Sequence, residues 1–136
     1  MIEFKDITIK DKDIITAYTM NSNRRNCDLS FSNLCSWRFL YHTKYAIIDN
    51  FLAFKFWAGD ELAYMMPVGE GNVKPVLKAL IEDASQENQP FCMLGVCSCM
   101  REELESIFPG QFIFTADRDY ADYIYLRSDL ATLNGK

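Results

Sequence analysis

Between Tyr45 and Ala84 the hydrophobic period changes once, and that change limits what the chain can become. The runs Tyr45 to Ile48, Phe51 to Trp57 and Glu61 to Met66 have a strand-like, period-two character and are parted by Asp49-Asn50 and Gly59-Asp60 turns. Pro67-Val68-Gly69-Glu70-Gly71-Asn72 follows, after which Val73, Val76, Leu77, Leu80, Ile81 and Ala84 recur at helical spacing. Pro75 fits the first turn, where a missing N–H takes no bond from the helix. The pattern predicts an antiparallel three-stranded meander that passes through a Gly-x-Gly turn into a helix ending near Gln86.

Gly69, Glu70, Gly71 and Asn72 are therefore the first candidates for a ligand site. The first N–H groups of a helix have no partner within it, so a loop at that point can direct several donors at a phosphate. Glu70 argues against this, because it places negative charge where an anion would approach, and the next cation is Lys74. The alternative is a plain turn in which glycine supplies a positive φ.

The flanks supply the other elements. Phe4, Ile7 and Ile9 alternate like a strand, and Asp11 to Met20 reads as a helix with acids in its first turn. Ser30 to Leu40 predicts a second helix with Phe31, Leu34, Cys35 and Phe39 on one face. The continuous apolar run Phe91 to Val96 predicts a strand buried on both faces, Met100 to Phe108 a helix stopped by Pro109-Gly110, and Gln111 to Thr115 and Tyr123 to Arg127 two more strands. With neither repeat nor linker, the expected fold is a single mixed α/β domain, a largely antiparallel central sheet flanked by helices.

At 136 residues, 49% hydrophobic, the chain is long enough for one real core, and its ten Phe and seven Tyr exclude a disordered reading. A net charge of −5, with Arg24-Arg25 the only adjacent basic pair, argues against direct nucleic-acid binding by this segment. No apolar run is long enough to span a bilayer and the N-terminus lacks a signal pattern, so a cytoplasmic location is expected. Five cysteines (Cys27, Cys35, Cys92, Cys97, Cys99) suit free, buried thiols in a reducing compartment.

Other constellations favour bland readings. Cys97-Ser-Cys99 with Cys92 has the wrong spacing for zinc and too few good ligands, so no metal is expected. The single histidine, His42, lacks a nucleophile in an evident catalytic turn and is expected at a helix end. Asp117 to Asp122 reads as a solvated loop. Among the aromatics Phe51, Phe54, Phe56, Trp57 and Tyr64, some must fill the core, and Trp57 and Tyr64 are the first to consider as ligand contacts.

The order of elements is similar to the GNAT-type acyl-CoA N-acyltransferase-like fold. Leu29-Ser-Phe-Ser-Asn-Leu-Cys-Ser-Trp37, Tyr45-Ala-Ile-Ile-Asp-Asn50, Tyr64-Met-Met-Pro-Val-Gly69 and Tyr123-Ile-Tyr-Leu-Arg-Ser-Asp-Leu-Ala-Thr-Leu-Asn-Gly-Lys136 together resemble the amino-terminal half of bacterial proteins related to the C-terminal domain of phosphatidylglycerol lysyltransferase. The resemblance implies two acetyltransferase-like domains in tandem, with the segment ending at Lys136 running on into a basic helix and the second domain. Residues 1–136 are then one acetyltransferase-like half whose partner is the missing C-terminal domain, with self-association expected of the isolated piece. For the parent it implies acyl or aminoacyl transfer from a coenzyme A thioester or an aminoacyl-tRNA. The family loop that holds the coenzyme A pyrophosphate runs Arg/Gln-x-x-Gly-x-Gly/Ala; Gly69 and Gly71 match, but Met66 stands at the Arg/Gln position. No cofactor is therefore expected for this segment, and no residue is nominated as catalytic. The competing reading is a self-sufficient acyl-CoA-dependent N-acyltransferase.

Overall fold

The computed structural model describes residues 2–121 and 123–132. A five-stranded antiparallel sheet forms the middle layer, with β1 (Lys5–Asp6), β2 (Lys44–Ile48), β3 (Phe51–Ala58) and β4 (Glu61–Tyr64) in that order. The fifth strand, β5 (Val68–Gly69), pairs with Phe51 and Leu52 of β3, whose other edge is already taken by β2. So β4 and β5 share one edge of β3, and the chain breaks pairing between them at Met65-Met66-Pro67, where Met65 N–H still donates to the Phe54 carbonyl at 3.3 Å.

Both hairpins turn on the expected residues. Asp49 and Asn50 have φ of 46° and 64° between the paired Ile48 and Phe51, the left-handed conformation that a two-residue hairpin loop requires and that Asn and Asp tolerate. Gly59, at φ 67°, does the same between Ala58 and Glu61.

Helices cover both faces. Leu52 and Phe54 of β3 join Ile7, Ile15, Leu29, Leu34, Tyr45 and Val68 in a cluster that meets α1 (Lys12–Thr19) and α2 (Phe31–Tyr41). Phe51 and Ala53, one residue out of phase, face the opposite side, where they pack with Val76, Leu77, Leu80 and Ala84 of α3 (Lys74–Gln86) and with Leu104 of α4 (Ser98–Ile107). Because both faces are covered, Phe51 to Lys55 are buried without alternation. Ser30 caps α2 by accepting from Asn33 N–H at 3.3 Å, and His42 closes it in the left-handed region at φ 47°, the helix-end position expected of it.

Several expectations need correction. The opening strand is only Lys5–Asp6, because Thr8 and Asp11 form a capping box that starts a 3₁₀ turn at Ile9. Phe91 to Val96 is no strand buried on both faces: it makes one parallel bridge, Tyr64 with Met93, its first three residues are half-buried and Leu94 is exposed. Gln111 to Thr115 forms no strand, although Phe112 and Phe114 pack inward while Ile113 is 98% exposed. The alternation is present, but no neighbouring strand pairs with it among the described residues. Tyr123 to Leu126 is likewise irregular, and Arg127 opens α5 (Arg127–Thr132). On α2, Phe39 lies away from the buried face that Leu34 defines and is 74% exposed.

Candidate functional site

The glycine loop stands at the head of α3, as its position requires, yet its polar and steric resources are already committed. Asn72 Oδ1 accepts from Lys74 N–H at 3.1 Å, so one of the first-turn donors that a phosphate would use is satisfied internally. Gly69 is held by packing: a Cβ there would lie 2.4 Å from the Asn50 carbonyl oxygen and 2.8 Å from Phe51 Cα, both backbone atoms. Gly71 takes a φ of +119°, which side chains other than hydrogen rarely adopt. Glu70 is exposed at the tip, and Met66 is buried at 3%.

The break between β4 and β5 is closed from the other side by Arg24. Its guanidinium donates to the Met66 carbonyl and, at 2.5 Å, to the Pro67 carbonyl, two groups freed when the strand pairing lapses. Burial pushes the Arg24 pKa down, while Glu103, Cys97 and Cys99 act in the opposite sense. Beside it opens a concavity of about 720 Å³ between the end of α1 and the start of α2, lined among others by Lys12, Thr16, Arg24, Arg25, Leu29 and Phe31. Thr16 Oγ1 is buried there without a hydrogen-bond partner.

A buried polar cluster lies under α3. Lys55 and Tyr64 are register neighbours on β3 and β4 and reach Asp83 together: Lys55 Nζ donates to Asp83 Oδ2 at 2.7 Å and Tyr64 OH to the same oxygen at 2.6 Å. Lys55 also donates to Glu87 Oε1 at 2.8 Å and sits 5.2 Å from the centre of the Phe4 ring. Burial opposes the Lys55 charge, but the bonds from Asp83 and Glu87 outweigh it and the pKa is raised. Burial, followed by the bond to Asp83, also raises the Tyr64 phenol. The adjacent hollow, about 50 Å³, is too small for a substrate. Satisfied and closed, the cluster clasps the sheet to α3.

Tyr64 is thus a core residue, 0% exposed and stacked 5.4 Å from Phe91, whereas Trp57 is half-buried at the end of β3. Phe51 and Phe54 are core, and Phe56 is half-buried. The cysteines are not buried, which corrects the sequence expectation: Cys35 and Cys92 are half-buried free thiols, and Cys97 and Cys99 are exposed free thiols at the start of α4. Cys27 is exposed too, with Sγ 3.9 Å from Asp28 Oδ1. No group of three or more His, Cys, Asp or Glu side chains is placed to hold a metal ion among the described residues. Asp117 caps a 3₁₀ turn at Arg118–Tyr120 in an exposed stretch, and Asp122 lies outside the described residues. No described helix is long and apolar enough to cross a membrane.

Fold and site together define a mixed α+β domain whose sheet carries a strand break sealed by arginine and a glycine turn feeding a helix. The chain belongs to the family "Phosphatidylglycerol lysyltransferase, C-terminal", whose model matches residues 19–136. It is 73% identical, with a TM-score of 0.96, to the crystal structure of a conserved protein of unknown function from Bacteroides thetaiotaomicron VPI-5482. That match covers 100% of this chain and 46% of the other, so the chain spans under half the length of this relative. No curated protein matches it.

Proposed function

We propose that residues 1–136 are the acetyltransferase-like amino-terminal half of an acyl or aminoacyl transferase, noncatalytic alone, which supports a second domain and walls its acceptor cleft. The observation that carries this reading is the state of the Gly69–Asn72 loop. Asn72 spends its side chain on the α3 backbone, Gly69 is packed against Asn50 and Phe51, and Met66 offers no cation or amide to a pyrophosphate. A phosphate-binding loop needs free donors and favourable charge, and Glu70 supplies the opposite sign. Donor and acceptor recognition then fall to the second domain, with coenzyme A thioester or aminoacyl-tRNA as the donor classes.

Titration calorimetry of the 136-residue chain with coenzyme A tests this directly. Heats no larger than dilution are expected. Micromolar affinity that disappears in Gly71→Val would show that the loop binds cofactor after all and would favour a self-sufficient acyltransferase.

A further inference from the structure

A pair of thiols at the start of α4 takes no part in the reading above. Cys97 is the N-cap of α4, in extended conformation at φ −81° and ψ 172°, and Cys99 lies in the first turn. Their sulfurs stand 3.0 Å apart, both side chains are exposed, and both are free thiols. With one residue between them, the two side chains converge so that their sulfurs need move only about 1 Å closer to reach the bond length of a disulfide.

We propose that Cys97 and Cys99 are a redox-active dithiol that closes reversibly to an intramolecular disulfide on reaction with a hydroperoxide. The bond between the two sulfurs lowers one thiol, Cys97, and raises the other, Cys99, and first-turn backbone N–H groups also lower Cys97. Cys97, at the N-cap of α4 where the helix end favours negative charge, is the attacking thiolate, and Cys99, 3.0 Å away, the resolving thiol.

In the first step Cys97 Sγ attacks a peroxide oxygen; the S–O bond forms, the O–O bond breaks, and the departing oxygen takes a proton to leave as alcohol or water. Cys97 is now a sulfenic acid. Cys99 Sγ then attacks Cys97 Sγ; the S–S bond forms, the S–O bond breaks, and hydroxide leaves with the Cys99 proton as water. The two thiols give up two electrons and the peroxide accepts them.

The test exposes the native 136-residue chain to stoichiometric hydrogen peroxide and maps the products by mass spectrometry. A loss of two hydrogens confined to the peptide containing Cys97 and Cys99, restored by dithiothreitol, is expected. Cys99→Ser should hold Cys97 as a sulfenic acid trapped by dimedone, and Cys97→Ser should slow peroxide consumption about tenfold. Because both side chains are exposed, circular dichroism of the variants should match the parent. Dimedone labelling of the parent at the level of Cys99→Ser, a disulfide to Cys92 or between chains, or no reaction at these two residues would each overturn the proposal.

Discussion

The α3 side of the sheet and the stretch from Gln111 to Thr132 draw on the same aromatic and aliphatic residues and end in opposite states. Under α3, Phe51, Val76, Leu77, Leu80 and Tyr64 are all at most 4% exposed, and even the charges of Lys55 and Asp83 are buried against each other. Along the C-terminal stretch Ile113, Tyr120, Tyr123 and Leu126 are each more than 60% exposed. One region completes its own packing; the other, apart from Phe112 and Phe114, presents apolar groups that the described residues do not cover. Apolar groups clustered on the surface of a small protein often mark a contact site, and the second domain proposed above would provide the contact.

The largest effect that would break this comparison is expected at the clasp. Lys55→Met leaves Asp83 buried with only the Tyr64 hydroxyl as partner and should cost about 3 kcal/mol in urea unfolding. Adding Asp83→Leu should recover part of that loss, because the uncompensated charge is then gone. A Lys55→Met variant as stable as the parent would mean that the cluster is open to water and could serve chemistry.

The same cluster sets the alkaline limit. Lys55 and Tyr64 both have pKa values raised above their ordinary 10.5 and 10.0, so in each case the folded state holds a proton that the unfolded chain has begun to release. Their contribution is fully present below about pH 10 and declines as the pH rises from there towards the folded values. Unfolding midpoints that hold to about pH 10 and fall above it in the parent, and less steeply in Lys55→Met with Tyr64→Phe, are expected; identical slopes would remove these groups as the cause.

A smaller effect tests the glycine turn. Gly69→Ala pushes a methyl into the backbone of Asn50 and Phe51 and should cost about 2 kcal/mol by forcing β5 from β3. A neutral substitution would show that the β5 edge can move, and with it the loop that would have to open for a phosphate.

Much of this was legible in the chain because it depends on local period and turn chemistry: the Asp49-Asn50 and Gly59-Asp60 hairpins and the apolar stripe of α3 follow from neighbours in sequence. The clasp was visible only in outline. Lys55 is a lone cation in an apolar run, and Asp83 and Glu87 continue the spacing of Val76 and Leu80, but which charge meets which depends on how α3 lies on the sheet. Phe112 and Phe114 explain the opposite error at Gln111 to Thr115. Alternation there reports one face packed inward, whereas a strand also needs a backbone neighbour, which sequence period does not encode.

That unpaired segment gives the smallest expected effect on stability and the sharpest test of the comparison. Ile113 is 98% exposed, so Ile113→Lys removes no buried contact and should change unfolding free energy by less than about 0.5 kcal/mol. Its effect on association should be larger, because a lysine at the centre of an exposed, alternating segment blocks edge-to-edge pairing. Light scattering of the parent should show self-association and bound hydrophobic dye, both reduced in Ile113→Lys. If the parent is a strict monomer with no dye binding, the C-terminal stretch is simply tolerated exposure and the contrast with the α3 side carries no message about a partner domain. If the substitution instead unfolds the chain, Ile113 belongs to this domain's own core in solution, and the two regions differ less than their exposures imply.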